Sequence, residues 1–165
     1  MLCLLAAGDA LSHVIKPKTK SMPPPKAHPP ILRILSVDPT PLPFVVTEQP
    51  LILTILVQLP KTLPDEALLN VTTLITSPSR SSIRVLESHR SLTDQVLTEA
   101  AIGNGNPQRI EVVQVWDGAD QTKRVVPDGI YTYQVVAKLM APEKNGLLTQ
   151  TTSRKKRGSF EVRER

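Results

Sequence analysis

From residue 31 onward the chain alternates apolar and polar side chains with period two, the pattern of strands that bury one face. Residues 130–139 carry it most clearly. Tyr131, Tyr133, Val135, Ala137 and Leu139 fall on one face and Thr132, Gln134 and Lys138 on the other, with Ile130 and Val136 as exceptions. Leu51, Leu53, Ile55, Val57 and Leu59 form a second inward row opposite Thr54 and Gln58, and Phe160 and Val162 alternate with Ser159, Glu161 and Arg163. The β-branched runs 70–76 and 82–86 flank Ser77-Pro78-Ser79-Arg80, which predicts a hairpin. With residues 109–116 and 31–37 this makes about seven strands. Frequent short strands predict an all-β fold of antiparallel sheets packed as a sandwich or barrel. Residues 91–101 do not alternate and predict a short crossover helix, with Ser91 as N-cap, Asp94 in the first turn and Gly103 as a stop.

Proline usage divides the chain. Ten of the 16 prolines lie between Pro17 and Pro50, and residues 16–30 read as an extended Pro/Lys-rich linker. Before it, residues 1–15 form a candidate leader: an apolar stretch, MLCLLAA, then the small residues Gly8 and Ala10 where a signal peptidase could cut. No Lys or Arg precedes that stretch, so the match to a secretory signal is incomplete. The expectation is an extracellular or cell-envelope protein, or a cytoplasmic one if the leader is not a signal. Residues 31–165 form one domain, long enough to bury about two thirds of its unfolded surface. The chain's sole cysteine, Cys3, would leave with the leader, and one cysteine allows neither a disulfide framework nor a cysteine-ligated zinc site. No apolar run approaches the roughly 20 residues of a membrane-spanning helix.

The net charge of +5 sits mostly at the ends. Residues 1–30 sum to +3 and residues 154–165 to +4, whereas 31–153 sum to −2. A near-neutral body with five aromatics among 165 residues argues against a nucleic-acid partner. The run Arg154-Lys155-Lys156-Arg157 reads as a solvated basic hairpin turn before the last strand, or else as a contact for an anionic surface.

Val115-Trp116-Asp117-Gly118-Ala119-Asp120, followed by Val126-Pro127-Asp128-Gly129-Ile130-Tyr131-Thr132-Tyr133, resembles the WDGxD...PxGxYxY signature of FlgD-type immunoglobulin-like domains. That family takes its name from the bacterial flagellar hook-capping protein and includes modules of secreted and cell-surface proteins. The resemblance spans about residues 50–162, with its sharp motifs in the second half; where the family often has an FSPNGDG-like opening, this chain reads FVVTEQP at 44–50. It implies an immunoglobulin-like sandwich whose signature residues Trp116, Asp117, Gly118, Asp120, Pro127, Gly129, Tyr131 and Tyr133 are structural. The residues support such roles themselves. Trp116 ends an apolar strand and can lay its indole over the core, Asp117-Gly118 and Pro127-Asp128-Gly129 are turn sequences, and Tyr131 is placed for a tyrosine corner.

Candidate chemistry is sparse. Asp117, Asp120 and Asp128 lack the D-x-D-x-D-G spacing of a calcium loop and read as turn caps. His13, His28 and His89 are scattered, and there is no G-x-S-x-G elbow or phosphate loop, so no catalytic residue, metal ligand or cofactor is expected. Asn70-Val71-Thr72 is a formal glycosylation sequon that reads as strand sequence. The expected function is a non-catalytic structural or adhesive module, scaffolding other envelope or extracellular proteins or a second copy of itself through edge strands and end loops. The alternative is a module for carbohydrate or an anionic surface, using loops or residues 154–157. For carbohydrate only Phe44 is left over as a stacking platform, the other four aromatics belonging to core strands.

Overall fold

A computed structural model describes residues 31–92 and 108–164. Nine strands follow in chain order: β1 (Arg33–Thr40), β2 (Phe44–Val45), β3 (Leu51–Gln58), β4 (Leu68–Thr76), β5 (Ser82–Ser91), β6 (Arg109–Trp116), β7 (Gly129–Glu143), β8 (Gly146–Thr152) and β9 (Lys156–Arg163). They form an immunoglobulin-like β-sandwich in which a three-stranded sheet, β1-β3-β6, faces a six-stranded one ordered β2-β9-β7-β4-β5, with β8 also on β7.

The alternation read in the sequence decides which side chains fill the space between the sheets. Leu51, Leu53, Ile55 and Val57 of β3 are buried, as are Tyr131, Tyr133, Val135, Ala137 and Leu139 of β7. Leu69, Val71, Thr73 and Ile75 of β4 and Ile110, Val112, Gln114 and Trp116 of β6 complete the interior. Each fully buried large apolar side chain contributes about 1.5–3 kcal/mol relative to exposure, so these rows are what close the sandwich. Gln114 is the polar member of its row. Its amide nitrogen donates to the Val71 carbonyl on the opposite sheet, 2.9 Å away.

Three features depart from the expected plan. Two strands were not foreseen: β2 is only two residues long, and β8 keeps no side chain in the core, so neither leaves a periodic trace. Not every pairing is antiparallel, because β2 runs parallel to β9, Phe44 opposite Val162 and Val45 opposite Arg163. The chain arrives there by leaving the small sheet after β1 and crossing, through cis peptide bonds before Pro41 and Pro43, to the edge of the large one. Finally, Ser91 is the last residue of β5 and not a helix cap. The rest of the helix expected over 91–101, beyond Leu92, lies outside the described residues.

Candidate functional site

The signature residues meet at one end of the sandwich. Trp116 ends β6 fully buried, with its ring centroid 5.5 Å from Phe44, 5.6 Å from Phe160 and 6.0 Å from Tyr131. Its indole N–H donates to the Ala119 carbonyl at 2.8 Å, so the one polar atom of the ring is satisfied within the turn that follows. Phe44 was the aromatic left over for a sugar platform. It is wholly buried against Trp116, because the crossing into β2 carries it under the indole.

The turn after Trp116 is built by two carboxylates. Asp117 Oδ1 accepts from the Ala119 amide at 3.1 Å. Gly118 has φ +75°, and a Cβ there would lie 2.6 Å from Val46 Cγ1, so both the backbone conformation and the space call for glycine. Asp120 Oδ1 accepts from the amides of Thr122 (2.7 Å) and Arg124 (3.0 Å) and from the Thr122 hydroxyl (2.7 Å). The Arg124 amide first, then the Thr122 hydroxyl, hold its carboxyl below the usual carboxylate range. The same loop is fastened to β5, where the Gln121 amide donates to the Ile83 carbonyl and Arg84 to the Asp120 carbonyl.

The second turn sets the two tyrosines. Tyr131 donates its hydroxyl to the Pro127 carbonyl at 2.8 Å, a tyrosine corner at the start of β7. Asp128 Oδ1 accepts from the Glu164 amide, and Gly129 sits against Pro78. Tyr133 reaches further, donating to the Val37 carbonyl at 3.3 Å in the opposite sheet. Its ring lies over Gly158, its cross-strand neighbour, where any Cβ would collide with the phenol. Burial pushes both hydroxyls above their ordinary pKa, with Asp128 adding to it at Tyr131 and Asp38 at Tyr133.

The three aspartates therefore each accept from backbone amides, Asp117 and Asp120 within the turn after Trp116 and Asp128 at Glu164 near the end of the chain. Among the described residues no group of three or more His, Cys, Asp and Glu is arranged to hold a metal. His89 lies on exposed β5 beside Glu87 at 3.8 Å. No described helix is long and apolar enough to cross a membrane.

The basic run is not a hairpin turn. That turn lies earlier, between β7 and β8, and Lys156 and Arg157 are already strand residues of β9. Arg154 and Lys155 occupy a break in the ladder, kept closed by Ser153, whose hydroxyl accepts from the Ala137 amide at 2.9 Å. Arg157 is held to Gln134 at 3.1 Å, whereas Lys156 donates to the Leu35 carbonyl at 3.2 Å. Ser153 and Gln114, the two polar residues that replace missing ladder or cross-sheet bonds, carried no signal beyond ordinary strand sequence. Comparison with protein-family models, curated proteins and solved structures returns no match for this chain.

Proposed function

We propose that this chain is a non-catalytic interaction module, scaffolding an extracellular or cell-envelope assembly. What supports the reading is the division of labour between interior and edge. The signature carboxylates and phenols are each engaged with backbone groups, and all five aromatics are in the core. The surface, by contrast, offers an edge strand that no described strand covers on its outer side. β8 pairs with β7 alone among the described strands, contains neither charge nor proline, and exposes Leu147 and Leu148 by 53% and 45%. Natural edge strands are normally guarded by charge, proline or cover, and an unguarded one is a template for strand addition. The resemblance to FlgD-type domains points the same way, toward assembly rather than turnover.

The carbohydrate alternative loses its platform with Phe44 buried. The experiment is photo-crosslinking in intact cells from an unnatural residue at position 149 in β8. Recovery of one stoichiometric protein, or of a second copy of the chain, is the expected result. Recovery of glycan or nucleic acid alone would overturn the proposal.

A further inference from the structure

Between the pairs Lys138–Thr152 and Val135–Lys156, two residues of β7 face three of the opposing strand, Ser153, Arg154 and Lys155. A bulge of this kind bends its strand and re-aims the side chains at the break. Ser153 maintains the ladder with its amide on the Ala137 carbonyl (2.8 Å) and its hydroxyl on the Ala137 amide. Arg154 and Lys155 are left outside it, exposed, and their main-chain N–H groups bond to no described residue.

Beside the bulge, between the start of β1 and the β8–β9 junction, lies a groove of about 710 Å³. Ile31, Arg33 and Leu35 form one wall and Arg154, Lys155 and Lys156 the other, and no carboxylate lines it among the described residues. Lys156 ties the walls together through its bond to Leu35. Four cations around one concavity, without counter-charge from the described residues that line it, focus a positive potential that raises the local concentration of anionic ligands. Arg33 joins this set only through the fold, being far from the run at 154–157 in sequence.

We infer that this groove docks an extended acidic peptide segment of a partner protein, an inference that rests on the interaction-module reading and deepens it. The cations and the main-chain N–H groups of Arg154 and Lys155 receive carboxylate and main-chain oxygens, and half-exposed Ile31 meets aliphatic side chains between the acidic ones. Nucleic acid and glycan fit less well, since every aromatic is buried and neither a base nor a sugar ring finds a face to stack on. A planar bilayer cannot follow a concave wall. The chain's own residues 1–30 carry four lysines and a single carboxylate, Asp9, and so contain no acidic segment.

The test titrates the full chain with a fluorescein-labelled peptide of alternating Glu and Val. Binding should weaken as salt is raised. The double variant Arg154→Glu/Lys155→Glu, and separately Arg33→Glu on the other wall, should each lower affinity about tenfold or more, whereas Arg80→Glu, away from the groove, should change it less than about twofold. Amide NMR shifts should concentrate at residues 31–35 and 152–156. All these side chains are exposed or nearly so, and unchanged melting temperatures would show that each variant is folded. Equal losses in the Arg80 and groove variants, equal binding of a Gln-for-Glu peptide, or phosphatidylserine vesicles binding with the same dependence on Arg33 would each overturn the inference. Absence of peptide binding while the crosslinked partner is still captured from β8 would remove the groove and leave the module reading standing.

Discussion

Tyr131 and Pro127 are joined by a hydrogen bond of 2.8 Å that spans four residues, from the first turn of β7 back to the loop that feeds it. The bond fixes where the chain turns from one sheet into the other, and it does so with a ring that also packs on Trp116 and Phe160. Tyr131→Phe keeps the ring and removes only the donor. It should cost about 1–2 kcal/mol, the loss of one hydrogen bond with its acceptor left partly buried. Differential scanning calorimetry should then show a melting temperature several degrees lower, and an unchanged transition would mean the corner is ornamental.

Trp116→Ala removes the ring that touches three other aromatics. A cost of about 3–5 kcal/mol is expected, a large part of the roughly 5–15 kcal/mol that holds a domain together. Trp116→Phe should fall between the two, since it refills most of the space and loses the bond to Ala119. Urea denaturation of the three proteins gives the order directly.

Gly158→Ala places a methyl group where the Tyr133 phenol lies. Overpacking of this kind costs about 1–3 kcal/mol. Combining it with Tyr133→Phe, which shortens the obstructing group, should cost less than the sum of the two single changes. Strict additivity in that double-mutant cycle would show that the two residues do not compete for the same space.

Asp120 links stability to pH. Its carboxyl titrates lower in the folded chain than its ordinary value of 3.8, because the Arg124 amide, the Thr122 hydroxyl and the Thr122 amide stabilise the charged form. The unfolded state therefore takes up the proton first. The contribution is fully present above that ordinary value and is lost as pH falls through the lower, folded value. Asp120→Asn should show a shallower loss of stability than the parent in urea melts carried from pH 7 to pH 2. Parallel acid limbs would refute the linkage.

Most of the sandwich was legible from period-two alternation, and the reason lies in burial on one face. The inward rows of β3 and β7 were readable residue by residue because every second side chain had to be apolar. β8 was not readable, since a strand with both faces in solvent has no period to show. Nor was the position of Phe44 legible. Its burial depends on where the chain crosses between sheets, a long-range event that no local window contains. The basic run was visible as charge, but its grouping with Arg33 arises from the placement of β1 beside β9, and the bulge that turns it there is a difference of one residue in a ladder.

β7 runs for fifteen residues, its first half laddered to β9 and its second to β8, with the Ser153 hydroxyl standing at the junction. On its other edge β7 stays laddered to β4 from Thr132 to Met140, so the change of partner affects only the β8–β9 side, where Ser153 bonds Ala137 through both its amide and its hydroxyl. Ser153→Ala would remove the hydroxyl bond and keep the amide one, letting β8 fray and exchange its amide protons early while β7 and the aromatic end stay shut. An arm that can yield without unfolding its body is suited to searching for a partner strand.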